Sequence, residues 1–261
     1  MKEKVSNIYV PLLKEFLQCT KTMNSGYPYA PFVPHGLENY GQAPLKVFYC
    51  GRDTYYWLPQ ELLTPDTILH YLSKNESVIT PELMLSAKNN LSNFWPFVIQ
   101  LHLYLRTGEM VDDLTRLSPD QMQIAREVGY GNLHSIELKQ TLINEGSWKG
   151  INTTDYNLLV QKSKSLDKLK YILDAYEPDI VFIFSWENYM EFFNGLAYEN
   201  VASWYEEDLR SVFTIKGYRT KVIWTSHPRR FPFLKKDSKG MVRYLGETAM
   251  NLIKQNNNSL K

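Results

Sequence analysis

The chain has 261 residues, 44% of them hydrophobic and 22% charged, with a formal net charge of +1. That size allows one large α/β domain or two small ones with a substantial core, and the composition excludes a chain disordered throughout. The near-neutral balance gives no global bias toward nucleic acid, so any phosphate-facing surface has to be local.

The first patterned segment is Ile8 to Cys19, where Ile8, Leu12, Leu13, Phe16 and Leu17 recur at helical spacing. Asn24 to Pro44 is rich in Gly, Pro, Tyr and Asn and reads as a long ordered loop, a common form of binding element. Leu45 to Cys50 is an apolar run stopped by Gly51, which predicts a buried strand. Arg52, Asp53, Thr54, Tyr55 and Tyr56 follow at once. An acid just past a buried strand is where α/β proteins put ligand chemistry.

Thr64-Pro65-Asp66 opens a helix through Leu72, and Thr80-Pro81-Glu82 opens another. Phe94 to Leu105 is strongly apolar and predicts a buried helix with Pro96 near its start. Ser118-Pro119-Asp120-Gln121 repeats the cap signature for a short helix to Glu127. Gly129 to Leu138 sets Asn132, His134 and Glu137 among apolar residues, as in a strand that aims polar groups at a site. A long helix from Thr153 or Thr154 to Tyr176 is ended by Pro178, and Asp179 to Trp186 predicts the clearest buried strand. Ser203 to Ile215 is read as a helix running into an edge strand, with Lys216-Gly217-Tyr218 as a turn. Lys221 to Thr225 is the last strand, and Ser226-His227-Pro228 follows it. Met241 to Ile253 closes with an amphipathic helix.

Alternating elements with apolar strands argue for a mostly parallel sheet covered on both faces. The organisation expected is a single domain, 1–261. In it an N-terminal helix and loop (1–44) pack on an α/β core (45–253), and 254–261 form a frayed polar tail.

Charge is unevenly spread. Leu209 to Lys236 holds no acid but carries Arg210, Lys216, Arg219, Lys221, Arg229, Arg230, Lys235 and Lys236. This reads either as a solvated hairpin or as a phosphate-facing patch around the His227 loop. The two cysteines, Cys19 and Cys50, belong to no metal-binding spacing and fit a reducing compartment. No leader-like apolar segment follows Met1, and no apolar run is long enough to span a membrane. A cytoplasmic monomer without a membrane partner is expected. Gly-rich dinucleotide and P-loop signatures are absent, as is Gly-x-Ser-x-Gly.

Gly51-Arg52-Asp53-Thr54-Tyr55-Tyr56 resembles the first motif of the uracil-DNA glycosylase superfamily, Gly-Gln-Asp-Pro-Tyr-His, with Gly51, Asp53 and Tyr55 in register. His227-Pro228 matches the first two residues of the second motif, His-Pro-Ser. Asn132, the helix to Tyr176, Pro178 and Ile180–Phe184 fall between them in the family's order, so the resemblance covers roughly residues 30 to 253. It implies a three-layer α/β/α fold around a mostly parallel four-stranded sheet. It also implies a monofunctional glycosylase that removes uracil or a related deaminated base, with no metal or nucleotide cofactor.

By that resemblance Asp53 handles the sugar's charge and the water, and His227 stabilises the leaving base. Tyr55 walls the pocket, Asn132 reads the base edge, and Phe94 or Trp95 (or Phe97) stacks on the base. Gly51, Arg52 and Tyr56 complete the binding set. DNA, single- or double-stranded, is held by Ser226, Arg229, Arg230 and Phe231 in the loop after His227, with Phe233 and Leu234 beside them. Arg52, Thr54, Tyr56 and Arg229 depart from the motifs, and a guanidinium at 229 keeps a phosphate-binding role.

Read alone, Asp53 is a turn or cap residue, His227 a strand exit, and the aromatics are core. Two other readings stand beside the first: a non-catalytic protein of the same fold that binds a nucleobase, nucleotide or DNA, and a small-molecule α/β hydrolase or transferase.

Overall fold

Ile180–Phe184 is an unbroken apolar run, and all five residues are buried. Such a strand needs cover on both faces and a neighbour on each side. The computed structural model describes residues 7, 35–51, 81–85, 90–133, 168–185, 193, 195–203 and 210–258. Its strands are β1 (His35–Gly36), β2 (Val47–Gly51), β3 (Gly129–Asn132), β4 (Ile180–Phe184), β5 (Tyr198–Ser203), β6 (Arg210–Ile215) and β7 (Lys221–Thr225). They form one sheet in the order β1-β3-β2-β4-β7-β6-β5. The centre, β3-β2-β4-β7, is parallel throughout, while β1, β6 and β5 join antiparallel.

The fold is therefore α/β, but the sheet exceeds the expected four strands. Two antiparallel strands extend it past β7, and a two-residue strand adds to β3. Of the segment read as a helix running into an edge strand, the strand is present as β6 but is not at the edge, and 204–209 lie outside the described residues. Tyr198–Ser203 is a strand that takes the edge position, and β6 lies inside it, paired on both sides.

The described helices are α1 (Pro81–Leu85), α2 (Phe94–Thr107), α3 (Pro119–Ala125), α4 (Lys168–Tyr176) and α5 (Ser238–Asn258). Alternation along the strands divides the apolar residues into two cores. Val47, Tyr49, Ile180, Phe182, Phe184 and Ile223 pack with α2 and α5. Phe48, Cys50, Val181, Ile183 and Val222 pack with Leu169, Ile172 and Leu173 of α4. Helices thus cover both faces.

Local chemistry sets the helix ends. Ser118 forms the anticipated capping box, accepting from the Gln121 N–H at 3.2 Å while Gln121 Oε1 accepts from the Ser118 N–H at 2.9 Å. Gly108, at φ 76°, ends α2 and donates its N–H to the Tyr104 carbonyl at 2.8 Å. At Gly246 the backbone of α5 meets the Tyr104 ring so closely that a Cβ would lie 2.4 Å from Cδ1. α5 also continues through Asn258, beyond the expected start of a frayed tail at 254. Within the loop predicted over 24–44, the described part holds β1 and a short 3-10 turn, Tyr40–Gln42. The helices predicted over 8–19 and 64–72 lie outside the described residues, as do those parts of the 80s and 154–176 helices beyond α1 and α4. No described helix is long and apolar enough to cross a membrane.

Candidate functional site at the carboxyl edge of the sheet

The parallel strands end along one line. Cys50 pairs with Ile183 and Ile183 with Trp224, so Gly51, Phe184 and Thr225 are level across β2, β4 and β7. On the other side of β2, Gly51 pairs with Asn132, the last residue of β3. The chain leaves β4 through Ser185, whose N–H donates to the Thr225 carbonyl at 2.9 Å, and leaves β7 through Ser226 and His227. Three of the predicted site positions, Gly51, Asn132 and His227, therefore meet at this edge. Arg52, Asp53, Tyr55 and Tyr56 lie outside the described residues, and so do the Asn132 side chain, His134 and Glu137.

His227 is held in a defined way. It is the N-cap of the short turn Pro228–Arg230, and its Nδ1 accepts the Arg229 N–H at 3.2 Å. An accepting Nδ1 puts the proton of the neutral ring on Nε2, so His227 is a hydrogen-bond donor through Nε2. Its ring stacks on Phe94 with centroids 5.7 Å apart and planes 20° apart. Phe94 comes from the first turn of α2 and meets Phe184 edge-on at 5.8 Å and Trp95 at 4.9 Å. Trp95 in turn stands edge-on to Tyr130 of β3 at 5.2 Å. The half-buried pair Phe94 and Trp95 thus lines the carboxyl edge between β3 and β7, where a stacking shelf was expected.

The loop after His227 differs from expectation in one respect. Phe231 was expected at the DNA, but it is fully buried and packs on Phe97 at 5.3 Å. Its neighbour Phe233 is 85% exposed and is the apolar tip of the loop. Ser226 is also buried and presents no open surface to a phosphate, whereas Arg229 and Arg230 are exposed. Because β6 is antiparallel to β7, the acid-free span divides between the two ends of the sheet. Arg210 stands opposite Thr225 at the carboxyl edge, near the loop that carries Arg229, Arg230, Lys235 and Lys236. Arg219 and Lys221 lie at the amino edge, where Arg219 Nη2 is 3.4 Å from Asp179 Oδ1. The basic residues of the span are thus split, one group beside His227 at the carboxyl edge and the other around the Lys216–Tyr218 turn at the amino edge.

A buried polar network backs the site and has no counterpart in the sequence reading. Tyr49 of β2 and His102 of α2 are both fully buried, with Tyr49 Oη 3.1 Å from His102 Nδ1. His102 Nε2 lies 3.6 Å from Glu127 Oε2, an ion-pair distance and too long for a hydrogen bond, and Arg106 Nε is 3.0 Å from the same oxygen. Burial lowers the His102 pKa from its ordinary 6.5, against the opposing pull of the Glu127 carboxylate. Between that lowered value and 6.5 the unfolded chain binds a proton that the folded chain does not. Stability from this group is therefore complete above 6.5 and falls as pH drops below it, with a slope of at most about 1.4 kcal/mol per pH unit. Urea unfolding of wild type and His102→Gln should show the wild type losing stability faster on acidification. Parallel pH profiles would remove His102 as the source.

Among the described residues no three His, Cys, Asp or Glu side chains converge as metal ligands would. No protein-family model matches the chain, and no curated protein does either.

Proposed function

We propose that the chain is a DNA glycosylase of the uracil-DNA glycosylase kind, which hydrolyses the N-glycosidic bond of a deaminated base without a metal or nucleotide cofactor. The register at the sheet edge carries the reading. Gly51 and Thr225 are level, and in the sequence Asp53 and His227 follow them by the same two residues. Their strands are separated by β4 alone, a span of about 10 Å, which suits a nucleoside between two catalytic groups. Asn132 ends the next strand at the same level. Helices on both faces of a sheet with four parallel central strands fit the three-layer arrangement of that superfamily.

In this reading the bond between the sugar C1′ and the base nitrogen breaks, and its electron pair leaves with the base. The Nε2–H of His227 donates to the base oxygen where that charge accumulates. The Asp53 carboxylate stabilises the cationic sugar and takes the proton of the water that adds to C1′. Phe94 supports the imidazole from below, and Phe94 or Trp95 offers the base a face.

The direct test is base release from single- and double-stranded oligonucleotides containing uracil, hypoxanthine or xanthine, detected as alkali-labile abasic sites. Release of any of the three supports the reading. Saturable, salt-dependent binding without release would replace it with a binding protein on the same fold.

The loop makes a separate prediction. Arg229→Ala and Arg230→Ala should each reduce the slope of log K against log salt by about 1, the loss of roughly one phosphate contact. Phe233→Ala should weaken duplex binding on the order of tenfold at unchanged thermal stability, because an exposed ring contributes to a DNA contact and not to the core. Equal salt slopes for all variants would move the DNA off this loop.

A further inference from the structure

We infer that Tyr49 and His102 are positioning residues for His227, acting through a continuous chain of rings. The inference rests on the glycosylase reading for its kinetic consequence, but not for its structural one. Tyr49 lies stacked on Phe182, with centroids 5.5 Å apart and planes 4° apart, and on Phe184 at 6.4 Å and 9°. Phe184 meets Phe94 edge-on at 5.8 Å, and Phe94 stacks on His227 at 5.7 Å. Tyr49, Phe182 and Phe184 are fully buried in a close-packed interior that gives way in discrete rearrangements, so a shift among them reaches Phe94 and, through it, His227.

Phe94, which carries the His227 ring, and His102, which meets Tyr49, share one helix. Phe94, Val98, His102 and Arg106 stand four residues apart along α2 and so fall on one face. The Tyr49–His102 contact fixes the rotation and height of that face against β2. Glu127, in the segment after α3, fixes it a second time through its approach to His102 and Arg106. Phe94, eight residues or about 12 Å before His102, therefore takes its place under the imidazole from a polar lock about two turns further along the helix. An apolar pair at 49 and 102 would pack the same core, but it would set no unique helix rotation, which a directional hydrogen bond does. The donor direction of His227 thus depends on a contact in the core that never touches substrate.

The test has a kinetic and a spectroscopic arm. The kinetic arm measures base release by wild type, Tyr49→Phe, Phe94→Leu and the double variant. Tyr49→Phe keeps the stacked ring and removes the hydroxyl. It is expected to lower kcat about 10- to 100-fold with KM little changed. In the Phe94→Leu background the same substitution is expected to add less than about twofold, because the path to His227 is already cut. Full additivity would overturn the inference.

The spectroscopic arm follows the His227 imidazole by NMR without DNA. Its signals and titration midpoint are expected to shift in Tyr49→Phe and in His102→Leu. They should stay near wild type in His102→Asn, whose amide oxygen can replace Nδ1 as the acceptor for Tyr49. An unmoved His227 signal in the first two variants would overturn the inference whatever the enzyme assay gives. If wild type releases no base, the glycosylase reading fails and this arm alone decides. If Tyr49→Phe does not fold, the pair of His102 variants makes the same comparison.

Discussion

Replacing His227 by alanine is expected to slow base release from uracil-containing DNA by about 10²–10³-fold, the usual cost of deleting one preorganised donor to a developing anion. DNA affinity should change little, because Arg229 and Arg230 remain exposed on the loop that follows. The effect should therefore appear in kcat and not in KM, the signature of an interaction made in the transition state. His227→Gln is the informative companion. Its amide can point an N–H along the direction that Nε2–H takes now, so it should retain more of the rate than alanine does. Asp53→Asn removes the opposite charge, the one that stabilises the sugar, and should cost at least as much. A His227→Ala protein that released base at the wild-type rate would sink the assignment of the imidazole to the leaving group. Stacking on Phe94 and the Arg229 N–H at Nδ1 would then serve the loop alone.

Elements whose burial follows from composition were legible in the sequence. Ile180–Phe184 and Lys221–Thr225 were read as strands because an apolar run between polar stops has few other uses, and both lie in the parallel centre. Ser118 and Gln121 announced their helix because a capping box needs only local contacts. Tyr198–Ser203 was not legible. It is an edge strand with Glu199, Asn200 and Val201 exposed, and an irregularity between Asn200 and Ala202 breaks the alternation that would mark it. At the site, the ends of β2 and β7 could be picked out, but their register could not, since no local pattern fixes how parallel strands align across β4. His102 was hidden for a related reason. A single histidine in an apolar helix is visible, but its partner Tyr49 is 53 residues away in sequence. The burial of Phe231 beside an exposed Phe233 is the most local of the misses. The two rings are two residues apart, and only the 3-10 turn Pro232–Leu234 decides which faces inward.

Phe231→Ala is accordingly expected to be the most destabilising single change in the loop, at about 3–5 kcal/mol, the range for truncating a fully buried phenylalanine. That corresponds to a fall in Tm on the order of 10 °C for a chain of this size. The ring fills a space against Phe97 of α2, and the Phe231 carbonyl accepts the N–H groups of Leu234 at 3.1 Å and Lys236 at 2.8 Å. Phe231 is thus the peg by which the loop is fastened to the helix that also carries Phe94. Phe231→Leu, which keeps much of the volume, should lose less than half as much. Phe233→Ala, two residues on, should stay within about 0.5 kcal/mol of wild type. Denaturant unfolding followed by tryptophan fluorescence separates the three. A stable Phe231→Ala beside an unstable Phe233→Ala would mean that the loop seats the other ring. In the expected order, loss of Phe231 should also weaken DNA binding, since the guanidiniums at 229 and 230 would no longer be held in a fixed position. Stability and affinity would then fall together for Phe231→Ala and separate for Phe233→Ala, because one ring anchors the loop and the other is what the loop presents.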